Sequence, residues 1–268
     1  MTERTFGRLA AEDERDRMFQ LRVPAAATTQ RFAYWSDHTY FGDQLNTPHC
    51  VGYAWTHWLC NAPISNYLDP DGIYELAQHI DEWDGTQYFG TSVRAGAKVL
   101  HKLGLIERYE WCWDVETLIE AVLSRGPVIV GTDWHRSMDT ADENGIIKVA
   151  GRSIGGHAYL INGVSRDRGF FRIKNSWGRQ WAAEGRAWIS FEDMDKLITA
   201  EGEVCLAVER LAKPPELSRS SIQKKGADVS APEPEPEPEG VIAQPRTEPK
   251  HGPPRPRRKQ RDRKRLSE

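Results

Sequence analysis

"HAYLINGVSRDRGFFRIKNSW", residues 157–177, reads as two strands rich in β-branched and aromatic residues. They cover 157–165 and 170–177 and are joined by a short turn containing Gly169. With the turn centred near Asp167–Arg168, facing residue numbers sum to about 335, so His157 lies opposite about residue 178 and Asn175 opposite about residue 160. The spacing therefore predicts that His157 and Asn175 are cross-strand near-neighbours. A histidine held by a side-chain amide keeps one tautomer and orientation, ready to shuttle a proton for a nucleophile.

The nucleophile has to come from elsewhere in the chain. In "DQLNTPHCVGYAW" (43–55), Thr47 reads as an N-cap and Pro48 as a first-turn residue, which places Cys50 in the first turn of a helix. Unpaired backbone N–H groups and the helix dipole at that end favour a thiolate. Cys60, Cys112 and Cys205 sit in or beside apolar stretches with no helix start, and they read as small core residues.

Around these motifs the pattern is helical first and stranded later. Helices are expected over 71–83, 91–104 and 114–126, and strands over 126–134, 186–191 and 203–211, with a short helix "EDMDKLI" between the last two. The aromatic segment 31–40 is expected to enter the core. The fold class is α+β, with two packed subdomains.

Charge divides the chain differently. Residues 1–212 carry 22 Lys+Arg and 30 Asp+Glu, whereas 213–268 carry 14 and 9, turning a net −8 into +5. The tail holds an alternating Pro-Glu tract (231–239), which cannot bury a core, and then "RPRRKQRDRKR" (255–265). A solvated tail is the preferred reading of that end. Its alternative is a salt-sensitive polyanion contact through 255–265, without base stacking because no aromatic interleaves the basic residues. The expected layout is an N-terminal surface arm (1–30), a folded domain (31–212) and a disordered tail (213–268). No export signal or membrane span is visible, so the sparse cysteines are read as reduced thiols in a cytoplasmic protein.

Gln44 six residues before Cys50, "GHAYLINGV" around His157 and "IKNSWGRQWAAEGRAWI" around Asn175 resemble papain-like cysteine peptidases, in that family's order. The resemblance covers about residues 30–210. It implies a papain-like fold, with a helical N-terminal half and a β-barrel-like C-terminal half flanking the active-site cleft. It makes Cys50 the nucleophile, His157 the general base and then acid, Asn175 the orienter of the imidazole, and Gln44 an oxyanion donor beside the Cys50 N–H. Trp177 would cover the His–Asn contact and Trp181 would line the leaving-group side. Gly155 and Gly156 would open a pocket to bulky apolar side chains, and Gly90 and Thr91 would offer backbone groups to an extended peptide. No metal or cofactor is implied, and the partner is a peptide or protein substrate. The chain departs from the family at His49 and Val51, which flank the nucleophile, and at Thr47, where a disulfide-forming cysteine is usual.

Two other functions fit parts of the sequence. One is a catalytically silent peptide-binding or tethering module that works through the basic tail; all four catalytic positions hold competent residue types, which argues against it. The other is a Cys/His amidase acting on cell-wall peptides, against which stand "KNSWG" and Gln44.

Overall fold

The computed structural model describes residues 4–11, 13–22, 29–37 and 40–209. The tail expected beyond residue 212, with its Pro-Glu tract and basic run, lies outside the described residues.

The β-rich half is one antiparallel sheet in the order β2-β7-β3-β4-β5-β6, with β1 pairing β4 off the path. Its strands are β1 (Phe32–Tyr34), β2 (Ile106–Cys112), β3 (Val128–His135), β4 (Ser153–Ser165), β5 (Phe170–Lys174), β6 (Arg186–Ser190) and β7 (Glu203–Glu209). The sheet stays open between β2 and β6, so the barrel-like closure expected from the sequence is not reached. Register shifts interrupt three of its ladders, β2–β7, β3–β4 and β4–β5.

The helices are α1 (Cys50–Leu59), α2 (Pro70–Gln78), α3 (Val93–Lys102), α4 (Val115–Ser124) and α5 (Phe191–Thr199). Side-chain caps start three of them: Ser92 accepts from Ala95 N–H, Asp114 from Thr117 N–H, and Ser190 from Asp193 N–H. Two apolar cores result, and β4 is the wall between them. Ala158 and Leu160 pack with α1 and α3, while Tyr159 and Ile161 pack with α4, α5 and the rest of the sheet. A strand buried on both faces needs apolar residues in both phases, and "HAYLINGV" supplies them.

The hairpin register matches the expectation and then departs from it. Ser165–Phe170, Val164–Phe171 and Gly163–Arg172 each sum to 335, but Ile161–Ile173 and Leu160–Lys174 sum to 334. The slip is a bulge at Asn162. The Asn162 amide donates to Asn61 Oδ1 at 3.0 Å and its oxygen accepts from Arg172 Nε at 3.0 Å, so the extra residue's side chain is fully used. The bulge has a consequence for chemistry. In the unshifted register Asn175 would face Leu160, on the side of Ala158. The shifted register sets it across from Tyr159, on the side of His157.

Three local expectations need correction. The first helix begins at Cys50 with His49 as its N-cap, two residues later than the sequence suggested. Thr47 does not cap it, because its hydroxyl donates to Gln44 O at 2.6 Å and closes the preceding turn. The aromatic segment near 31–40 enters the core only in part: Ala33 is buried and Trp35 packs against the core, while Phe32 and Tyr34 face outward from the short strand β1. The strand β2 was not foreseen: "IERYEWC" carries charges on both sides of its aromatics and shows no clean alternation.

Candidate active site

Cys50 is the first residue of α1, and the backbone N–H groups of Ala158, Gly7 and Val51 are near enough to its thiol to lower its pKa. Ala158 follows His157 on β4, so the helix start and the strand deliver thiol and imidazole to the same place. His157 Nε2–H donates to Asn175 Oδ1 at 2.8 Å, which fixes the tautomer and leaves Nδ1 without a hydrogen-bond partner. Asn175 Oδ1 also accepts from Ser176 N–H at 2.8 Å.

Aromatic rings enclose the imidazole. Trp177 lies at 5.3 Å, and Trp181 packs against Trp177 at 5.7 Å. Trp134, at the end of the strand expected over 126–134, meets His157 edge to face at 4.9 Å, a contact the sequence did not suggest. Its signal is the cross-strand pairing of β3 with β4, which sets Thr132 opposite His157 and Trp134 opposite Gly155.

Gln44 is also in place. Its Nε2 donates to Thr47 O at 2.8 Å and to Thr5 O at 3.0 Å, and its Oε1 accepts from Ser176 Oγ at 2.6 Å. Ser176 is a second residue the sequence reading passed over, although it lies inside "KNSWG". It determines which end of the Gln44 amide points into the site.

The arm expected on the surface in fact crosses the site. Phe6 packs edge-on against His157 at 5.9 Å and Trp177 at 6.3 Å. The Gly7 N–H is near enough to the Cys50 thiol to lower its pKa. Arg8 N–H donates to Gly156 O at 2.9 Å, Thr91 N–H to Gly7 O at 2.9 Å, and Leu9 N–H to Thr91 O at 3.0 Å. Thr91 therefore lends both backbone groups to an extended chain. Gly90 does not: its N–H donates to the Tyr74 hydroxyl and its carbonyl accepts from Gln78. A Cβ on Gly155 would strike Phe6 at 2.6 Å, and one on Gly156 would strike Arg8 O at 2.2 Å. Gly155 thus opens on an apolar ring. Gly156 opens on Arg8, whose guanidinium meets Glu203, so the pocket expected to take bulky apolar side chains holds a charged one there.

Electrostatics follow from this cover. Cys50 has no exposed surface, and burial raises its pKa despite the three N–H groups and nearby Arg8, so the expected acidification by the helix start is outweighed. Burial likewise brings the His157 pKa down to about 4, against the Asn175 hydrogen bond, which raises it, and with Arg4, which lowers it further. With the arm in place the pair is therefore neutral thiol and neutral imidazole near pH 7. His49 is not a rival base at this site. It pairs with Asp71 at 2.8 Å and stacks on Tyr74 at 4.0 Å.

A model of the papain family of cysteine proteases matches residues 79–205, a span that includes His157 and Asn175 but not Cys50. An uncharacterized peptidase C1-like protein of Acanthamoeba polyphaga mimivirus is 25% identical over 188 residues, covering 52% of this chain and 59% of that protein. The chain thus spans less than two thirds of that relative's length. Among solved structures, xylellain, a cysteine protease from Xylella fastidiosa, superposes with a TM-score of 0.64 at 19% identity, over 76% of this chain and 96% of its own. Digestive procathepsin L 3 of Tenebrio molitor gives 0.55 at 16% identity, over 70% and 74% of the two chains. The bromelain protease of Ananas comosus, in complex with the E64 inhibitor, gives 0.52 at 15% identity, over 67% and 99%. The family resemblance read from the sequence and the papain-like α+β fold are both borne out. Among the described residues no helix is long and apolar enough to cross a membrane.

Proposed function

From a papain-like fold and a papain-family match as premise, we propose that this protein is a cysteine-type peptidase in which Cys50 attacks peptide carbonyls with His157 as proton carrier. The observation that carries the reading is the bond of 2.8 Å from His157 Nε2 to Asn175 Oδ1, on the residue next to Ala158, whose N–H acts on the Cys50 thiol.

Once substrate replaces the arm, the Cys50 proton passes to His157 Nδ1 and the thiolate attacks the carbonyl carbon. The C=O π pair moves onto oxygen, where the Gln44 Nε2 and Cys50 N–H donors receive it, each contributing on the order of 3 kcal/mol at such sites. Collapse of the adduct breaks the C–N bond, and Nδ1–H protonates the departing amine. A water then attacks the thioester while His157 takes its proton. The second adduct expels the Cys50 sulfur, releasing the acid and restoring thiol and imidazole. Asn175 is neutral, so it orients the imidazolium without taking its proton.

In the closed form the Thr5 carbonyl occupies the Gln44 donor and the Gly7 N–H acts on the Cys50 thiol, so turnover requires the arm to leave. The arm also pairs parallel to Thr91. His157 must reach the leaving amine, which puts the leaving half of a substrate on the Trp177 side and the acyl half along Thr91. The arm begins on the Trp177 side, with Arg4, and so crosses the cleft in the opposite sense to a productive substrate.

The test is labelling of the full chain with an epoxide probe for papain-like thiols, mapped by mass spectrometry, beside His157→Ala. The expected result is one adduct, on Cys50, lost in the variant. Adducts indifferent to His157, or spread over Cys60, Cys112 and Cys205, would reject the reading.

A further inference from the structure

Lys174 ends β5 with its side chain wholly inside the protein, and its Nζ has no hydrogen-bond partner. It faces Arg186 across the β5–β6 ladder, and Arg172 lies two residues back on the same face of β5. One carboxylate serves all three cations. Asp37 takes Arg186 as a fork, Oδ2 accepting from Nε at 2.7 Å and Oδ1 from Nη2 at 2.9 Å. Its Oδ1 also accepts from the Tyr34 hydroxyl at 3.2 Å. Lys174 Nζ and Arg172 Nη2 are left 3.6 Å and 4.0 Å from Oδ2, inside ion-pair range but beyond a hydrogen bond. Among the described residues no other carboxylate is in ion-pair contact with these cations, although the exposed Glu184 adds its charge at Arg186.

The imbalance is one-sided. Three buried side-chain nitrogens in this region lack a hydrogen-bond partner, Lys174 Nζ, Arg172 Nη2 and His57 Nδ1, and all three are donors. His57 is neutral, because burial and the nearby Lys174 push its pKa well down. The Gly42 N–H donates to its Nε2 at 3.3 Å, so the ring hydrogen is on Nδ1. Arg172 spends its Nε on Asn162 Oδ1 at 3.0 Å and has nothing for Nη2. Burial brings the Lys174 pKa down to about 8 and the Arg172 pKa down to about 10, and Arg186 pushes both the same way. Buried cations in excess, with donors unmet, are costly to hold. An anion answers both deficits at once, since it accepts from the donors and cancels charge.

Its size follows from what surrounds it. Lys174 Nζ and Arg172 Nη2 approach the same Asp37 oxygen and so lie close to one another. An aromatic ring stands over each cation, Phe41 at 4.7 Å from Lys174 Nζ and Tyr34 at 3.4 Å from Arg172 Cζ. A spherical ion meets both nitrogens without orienting any oxygens, whereas sulfate or phosphate needs room that these rings take up.

We propose that Lys174 Nζ and Arg172 Nη2 hold a chloride ion inside the protein beside Asp37, in a site bordered by His57 of α1. The site does not depend on the chemistry of Cys50. Lys174 precedes Asn175, whose N–H donates to Gly185 O at 3.0 Å, and Gly185 precedes Arg186. The ion therefore braces the two strand ends that carry the proposed orienter of the imidazole.

The experiment uses the full chain at neutral pH. Melting is followed as sodium gluconate is exchanged for sodium chloride at constant ionic strength, which leaves charge screening unchanged. A saturating rise of about 5 °C is expected with chloride, shared by bromide and lost in Lys174→Met. Wild-type crystals grown in bromide give a check that needs no variant: an anomalous peak in contact with both Lys174 Nζ and Arg172 Nη2 is expected. Equal melting in chloride and gluconate, a rise that never saturates, or the same rise in Lys174→Met overturns the proposal. Bromide found at surface arginines alone, an adventitious ion only, overturns it too. If Lys174→Met does not fold, the bromide position decides. None of these readings involves Cys50, so failure of the peptidase reading would leave the test intact.

Discussion

The β4–β5 hairpin that holds His157 and Asn175 and the arm that lies across them are fixed in place by different physics. The hairpin is a continuous backbone ladder with apolar residues buried on both faces. The arm makes few backbone bonds and is tied by charges: Arg4 to Asp43, Arg8 to Glu203, and Asp16 to Arg94, whose side chain also donates to Ala11 O. A ladder over a buried core opens only with the whole domain. Ion pairs spaced along an extended segment can release one after another. His157 and Asn175, the proposed proton carrier and its orienter, belong to the rigid element, and Phe6, which covers His157, sits on the releasable one.

That contrast breaks first if the hairpin proves soft. Ile161 is fully buried in the wall strand, and Ile161→Ala should cost about 4 kcal/mol of global stability by urea unfolding. A loss under about 1 kcal/mol would mean that the strand relaxes, and the rigid half of the comparison would fail.

Acid sharpens the contrast next. The His157 pKa is depressed to about 4 from an unfolded value of 6.5, so the neutral form is the one the fold accommodates. Above pH 6.5 nothing is lost. As pH falls from 6.5 to 4 the unfolded chain takes up a proton that the native one refuses, and stability should drop by about 3 kcal/mol from this group. Buried His57, also strongly depressed, adds in the same direction. Denaturant titrations at pH 7, 5 and 4 should show the loss, and His157→Phe should remove its share and leave that of His57. An unchanged slope in His157→Phe would rule out the buried neutral imidazole.

The arm itself should be cheap to free. Phe6→Ala removes the ring that covers His157 and Trp177. Iodoacetamide should then alkylate Cys50 about tenfold faster, an opening eased by roughly 1.4 kcal/mol, while global unfolding shifts little. If alkylation and unfolding change in proportion, the arm is part of the cooperative core and the comparison collapses.

The same contrast explains what could be read from the sequence. Strand periodicity and a four-residue turn are local, so the hairpin, its register and the approach of His157 to Asn175 were legible. The bulge that puts their side chains on one face was not, because Asn162 differs from its neighbours only through buried partners 10 and 101 residues away. Cys50 was legible as a helix-start cysteine, but not as a covered one, since acidification by the helix is local and burial is contributed by Gly7 from a different part of the chain. The Arg8–Glu203 pair spans 195 residues, and nothing in "GRLAA" marks an arginine that will be buried. Charged arms look like solvent to any local reading; only the fold shows which charges meet.

The smallest effect concerns a residue that acts through another. Ser176 Oγ donates to Gln44 Oε1, and the Gln44 N–H donates to Ser176 O at 2.8 Å, so the serine holds both the backbone and the amide of the proposed oxyanion donor. Ser176→Ala keeps the backbone tie and removes the one that tells oxygen from nitrogen at the amide. The freed amide can then turn its oxygen toward the developing charge part of the time. A hydrogen bond of this kind is worth about 1 kcal/mol, so kcat should fall about fivefold. KM and the pH profile should stay put, because neither ground-state binding nor the His157 environment has changed. Gln44→Ala, which removes the donor altogether, should cost about a hundredfold or more, and adding Ser176→Ala to it should cost nothing further. A double variant that loses the extra fivefold would show that Ser176 supports the site through Asn175, whose Oδ1 it also contacts through its backbone N–H, and not through the oxyanion donor.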